Sequence, residues 1–167
     1  MAILLIDFDG TCVTHEFPNI GKEIGAAPVL KALTENGHQL ILFTMRCDHD
    51  GKETLDGSPS VASHGTYLTD AIEWFKKHDI PLYGINENPT QKSWTSSPKP
   101  YGEFIIDDIA LGIPTLQLNG KRYVYWWMMI TILELEGLIT SEQGKVLHNS
   151  FRKSSNDLLL TDIDNYN

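Results

Sequence analysis

The sequence predicts an α/β fold in three layers, an open parallel sheet with helices on both faces, and three observations predict it. Short apolar runs of the kind that form strands covered on both sides recur along the chain. Stretches with apolar residues at helical spacing separate them. The resulting order of strand, helix, strand, helix, strand, strand is that of a sheet assembled through right-handed crossovers.

Taken in order, ILLIDF at residues 3–8 is the first strand. TCVTHEFPNIGKEIGA, residues 11–26, carries Pro18, Gly21 and Gly25 without a helical period and reads as a loop or small hairpin. Val29, Leu30 and Leu33 then fall at helical spacing, and Gly37 stands where a helix stops. QLILFT, residues 39–44, is the second strand. Residues 47–65, rich in Asp, Gly, Ser and His, read as a long surface loop. Leu68, Ile72, Trp74 and Phe75 mark the next helix, IPLYGIN at residues 80–86 a third strand, and EFIIDD at residues 103–108 a fourth, after a polar loop. A short extended piece, TLQLNGKRYVY, leads into a long apolar helix. Its Trp126, Trp127, Met128 and Met129 read as core, although four large residues in a row cannot all face one side.

With 167 residues the chain is expected to form one domain over residues 1–150, followed by a polar, partly disordered tail at residues 151–167. A net charge of -9 and the lack of a basic patch argue against nucleic acid as a partner. Glu134 and Glu136 interrupt the longest apolar stretch, which argues against a membrane span. Two cysteines, Cys12 and Cys47, and a first strand without a leader pattern point to the cytoplasm.

The chemistry lies where strands end. Ligands of an open parallel sheet bind outside its carboxyl ends, and those positions hold Asp7 and Asp9, Thr44, and Asp107 and Asp108. Four carboxylates gathered on one edge repel one another, so the site calls for a hard cation with oxygen ligands, and Mg²⁺ is the usual choice beside phosphate. Such a carboxylate can attack a phosphoryl group while its neighbour carries the proton.

These motifs resemble the haloacid dehalogenase-like (HAD) superfamily of phosphohydrolases. DFDGT is similar to its first motif, LILFT places Thr44 at its second, and IIDD stands at its fourth. The resemblance implies a Mg²⁺-dependent phosphomonoesterase working through an aspartyl-phosphate. Asp7 is then nucleophile and metal ligand, and Asp9 is general acid/base and a ligand through its carbonyl. Asp108 is the third protein ligand and Asp107 its partner, with the order within that pair left open. The third-motif lysine is assigned to Lys99, with Lys92 as the alternative. Gly10, Thr11 and Arg46 are read as substrate contacts, Arg46 beside Thr44, with a surface ion pair as the equal alternative for Arg46.

The resemblance extends to a capless member with no substantial cap domain, in which residues 48–64 are a candidate lid. A nucleotide is the first substrate guess, a phosphorylated macromolecule another, and a homo-oligomer one way to close an open site. Two other classes stay open, a receiver-like signalling module and a phosphate- or metal-binding protein without turnover. Turnover with Mg²⁺ separates the enzyme from both. His15 is a further candidate for substrate contact, and a redox link between Cys12 and Cys47 is conceivable beside the simpler reading of two unrelated thiols.

Overall fold

The computed structural model describes residues 1–49 and 65–163. The chain forms β1 (Ile3–Ile6), α1 (Ala26–Glu35), β2 (Gln39–Leu42), β3 (Asp48–His49), β4 (Gly65–Thr66), α2 (Tyr67–Lys77) and β5 (Gly84–Ile85). These are followed by β6 (Phe104–Ile106), β7 (Thr115–Leu118), β8 (Lys121–Val124), α3 (Trp126–Leu135) and α4 (Ser141–Ile163). Four strands make one parallel sheet in the order β5-β2-β1-β6. This is an α/β fold with a Rossmann-like core arrangement.

The strands are shorter than their apolar runs. β1 stops at Ile6 because the chain turns at once, with the N–H groups of Thr11, Cys12 and Val13 all donating to the Phe8 carbonyl. β5 is reduced to Gly84–Ile85, and Pro81, with no N–H to give to a ladder, limits it on the amino side.

Alternation along the strands separates Leu4, Ile6, Leu40 and Leu42 from Leu5 and Ile41. The first set shares one buried core with Phe8 and with residues of α1, α2, α3 and α4. Trp74 and Phe75 of α2 lie against the Phe8 ring at 5.7 and 6.1 Å. Both steps, β1 to β2 and β2 to β5, run the same way across the sheet, so right-handed crossovers put α1 and α2 on the same face.

On the other face the predicted helices are absent among the described residues. Leu5 and Ile105 instead line a hollow with Trp94, Tyr101 and Gly102, from the irregular segment that returns from β5 to β6. Its only regular turn is a 3₁₀ turn at Gln91–Ser93. Pro89, Pro98 and Pro100 and the intervening serines deny it a helix, and buried Gln91 organises it. That side chain donates to the carbonyls of Ser97 (2.8 Å) and Lys99 (2.7 Å) and accepts from the Tyr101 N–H (2.6 Å).

Two features that follow β6 were not among those expected. The extended piece is a hairpin, β7 paired antiparallel with β8, and its turn is Asn119-Gly120 with φ of 52° and 76°, the conformation a two-residue type I′ turn requires. Helix α4 begins with a reciprocal cap, in which the Gln143 side chain accepts from the Thr140 N–H (2.9 Å) and the Thr140 hydroxyl from the Gln143 N–H (3.2 Å). The stretch set apart as a tail continues this helix as far as Ile163.

Most of the loop proposed as a lid, residues 50–64, lies outside the described residues. Its base is an antiparallel ribbon, β3 with β4, fastened to α2 by Asp48. That carboxylate accepts from the N–H groups of Leu68 (2.8 Å) and Thr69 (3.0 Å) and from the Thr69 hydroxyl (2.6 Å), capping the helix. Among the described residues, no helix is long and apolar enough to cross a membrane.

Candidate functional site

The chain steps from β1 to β2 and β5 on one side, then returns to the other edge of β1 as β6. The boundary between β1 and β6 is therefore the topological switch point, where the carboxyl ends of an open sheet leave a crevice. Asp7 follows β1 and Asp107 follows β6, with the Asp7 N–H donating to the Ile106 carbonyl at 3.0 Å. Carboxylate oxygens of Asp7, Asp107 and Asp108 all lie within 4.8 Å of one another. That is a set of hard oxygen donors, and it fits a divalent cation of the Mg²⁺ class.

Thr11 joins the two strand ends from below. Its fully buried hydroxyl donates to Asp7 Oδ2 (3.2 Å) and accepts from the Asp108 N–H (3.1 Å). Its carbonyl accepts from the indole N–H of Trp126 at 2.7 Å, so the first turn of α3 holds the loop from within the core. Trp126→Phe keeps the apolar bulk but leaves a buried carbonyl unpaired, and is expected to cost about 1–3 kcal/mol in urea unfolding. Trp126 and Met129 are buried while Met128 is exposed, as a one-sided helix requires.

Burial raises the pKa of Asp7 to about 7, aided by repulsion from Asp107 and Asp108 and opposed by the Phe8 N–H and the Thr11 hydroxyl. Burial also pushes Asp108 upward, and the hydrogen bond from His15 Nε2 to its Oδ2 at 3.2 Å opposes this. For Asp7 the folded state favours the protonated form, so its stabilising contribution is complete below pH 3.8 and is lost as pH rises to about 7. Asp7→Asn cannot ionise. Without metal, its stability advantage over the wild type is expected to grow across that window to roughly 4 kcal/mol, read by denaturation at a series of pH values. Added Mg²⁺ should shrink the gap, because the cation stabilises the carboxylate.

Asp9 stands apart from this cluster. Its two oxygens accept from Nε (2.6 Å) and an Nη (2.7 Å) of Arg46, whose side chain is only 1% exposed. The same guanidinium donates to the carbonyls of Pro18 (3.2 Å) and Asn19 (2.8 Å) and lies over the rings of Phe8 and Phe17. Of the two roles the sequence allows Arg46, substrate contact and ion pair, the structure shows an ion pair, buried rather than at the surface, with the remaining donors on the 14–24 loop.

Gly10 and Thr11, also read as substrate contacts, build the turn. The Gly10 N–H donates to the Val13 carbonyl (2.7 Å) and that of Thr11 to Phe8 (3.2 Å), so neither is held out for an anion. Gly10 has φ of 82°, and a Cβ there would come within 2.3 Å of His15 Nε2 and 2.8 Å of the Asp108 carboxyl carbon. Only glycine lets the loop close this tightly.

Thr44 lies just past β2, the neighbour of β1, with its N–H donating to the Asn86 side chain (2.8 Å) and its hydroxyl accepting from the Arg46 N–H (3.2 Å). Neither candidate lysine makes an ion pair with the acidic cluster. Lys92 pairs with Glu87 at 3.2 Å, and exposed Lys99 lines the hollow over Leu5 and Ile105 on the sheet face. Cys12 and Cys47 form no disulfide; Cys12 is buried, donates to the Asp7 carbonyl (3.3 Å), and is pushed well up in pKa by burial.

The hairpin was missed as a part of the site. The Val124 N–H donates to the Gly10 carbonyl (2.8 Å), an Arg122 Nη to the Asp108 carbonyl (2.6 Å) and Lys121 Nζ to the His15 carbonyl (2.7 Å). The Asn-Gly pair was the signal in the sequence that would have revealed the hairpin, though not where it docks.

The chain matches no protein-family model and no curated protein. Among solved structures it is similar to a conserved protein from Bacteroides thetaiotaomicron, 28% identical, with a TM-score of 0.57, over 85% of this chain and 95% of that one.

Proposed function

We propose that this protein is a metal-dependent phosphomonoester hydrolase of the HAD type. One observation carries the reading. Three carboxylates from two strand ends converge at the switch point of a parallel sheet, with their oxygens within 4.8 Å of one another. Asp7, Asp107 and Asp108 would hold Mg²⁺, which when bound supplies charge neutralisation for an incoming phosphate.

In this reading an Asp7 oxygen forms a bond to phosphorus as the bond to the ester oxygen breaks, and Asp9 delivers the proton to the departing alcohol. Asp9 then takes a proton from water, whose oxygen displaces Asp7 and releases inorganic phosphate. Arg46 fixes the Asp9 carboxylate in orientation, and proton transfer uses an oxygen lone pair that the guanidinium leaves open. Thr44 stands at the neighbouring strand end to donate to a phosphoryl oxygen. A cytoplasmic location, a site without a cap and a nucleotide substrate belong to the same proposal.

The Arg46 grip on Asp9 favours a second reading, a site that binds metal and phosphate without turnover. Hydrolysis of p-nitrophenyl phosphate with and without Mg²⁺ decides between them. The enzyme reading expects metal-dependent release of nitrophenolate. Mg²⁺ and phosphate binding by a folded protein that turns over no phosphomonoester supports the second reading.

A further inference from the structure

A phosphoryl group entering an acidic crevice needs a fixed cation with free donors, and the surrounding residues leave few. Arg46 is committed to Asp9 and two carbonyls, Lys92 to Glu87, and Lys99 lines the sheet face. Lys121 gives one of its three ammonium N–H groups to the His15 carbonyl and makes no ion pair with the acidic cluster among the described residues.

Arg122 differs. One Nη donates to the Asp108 carbonyl at 2.6 Å, which sets the guanidinium beside the acidic cluster. Its other N–H groups have no hydrogen-bond partner among the described residues, and the residue is exposed. The hairpin that carries it is rigidly seated through bonds to Gly10, His15 and Asp108, three residues of the site loops. A hollow of about 330 Å³ is lined by His15, Phe17 and Lys121.

We propose that Arg122 binds the phosphoryl group of the substrate, its free N–H pair donating to two phosphoryl oxygens in the bidentate manner of guanidinium with phosphate. The inference rests on the phosphohydrolase reading and assigns to the hairpin the cation that the sequence placed on Lys99.

The test is competitive inhibition by inorganic phosphate during Mg²⁺-dependent hydrolysis of p-nitrophenyl phosphate, with Arg122→Gln, Arg122→Lys, Lys99→Gln and Lys92→Gln. Arg122→Gln is expected to raise the phosphate inhibition constant about tenfold to a hundredfold, as loss of a charge-assisted contact does. Arg122→Lys should recover part of it, and the other two variants should match the wild type. A purely structural role for Arg122 would lower the melting temperature without moving that constant. Unchanged inhibition in Arg122→Gln, or a large rise in Lys99→Gln or Lys92→Gln instead, overturns the proposal and leaves the phosphohydrolase reading standing. A wild type that hydrolyses no phosphomonoester overturns both.

Discussion

Asp7→Asn is expected to lower kcat for phosphomonoester hydrolysis by about four orders of magnitude or more, as removal of an attacking group does. The amide is nearly the size of the carboxylate, keeps an oxygen for the Thr11 hydroxyl to donate to, and removes a charge that burial and two neighbouring acids already disfavour. The fold should therefore survive, and the metal-free variant should be more stable than the wild type near neutral pH. Loss of activity together with gain of stability is the signature of a group held in place against its own preference. An Asp7→Asn variant that keeps substantial turnover would remove Asp7 as the nucleophile.

Arg46→Ala is the second large effect, and it is a loss of stability. The guanidinium holds both Asp9 oxygens, two loop carbonyls and the faces of Phe8 and Phe17 in a nearly dry environment. Removing one partner of a buried pair leaves the other charged and uncompensated, which costs about 3–5 kcal/mol. A corresponding fall in the urea midpoint is expected. Arg46→Lys should recover only part of the loss, because an ammonium cannot match the forked geometry. A midpoint close to that of the wild type would mean that the 14–24 loop and Asp9 are held by other means.

The strands that carry the acids were legible because each is a short apolar run ending in carboxylates, and β1 and β6 need only be adjacent to bring Asp7 to Asp107. Helix α1 was equally plain, since Gly37 closes it with φ of 80°. The hairpin and α4 carried local signals, Asn119-Gly120 and the Thr140 to Gln143 box, that apolar periodicity alone does not detect. The single-sided placement of the helices follows from strand order, which depends on pairing between distant segments. For the same reason the sequence leaves Arg46 open between a substrate contact and an ion pair. Its partner Asp9 lies 37 residues away, and no local pattern relates them. Arg122 became part of the site only through the docking of a whole hairpin against Gly10, His15 and Asp108.

The relation between the acidic cluster and the Asp9–Arg46 pair decides what this molecule does. In the proposed reading, three carboxylates at the switch point would hold the metal beside phosphate, and turnover would depend on the tightly held Asp9. The most direct measurement is to quench the protein during Mg²⁺-dependent hydrolysis of p-nitrophenyl phosphate, reduce it with borohydride, and sequence its peptides by mass spectrometry. Borohydride converts an aspartyl-phosphate to homoserine. The account predicts homoserine at position 7 in the wild type with Mg²⁺ and substrate, and none when either is omitted. Turnover with an intact aspartate at position 7, or homoserine at position 107 or 108 instead, would contradict it.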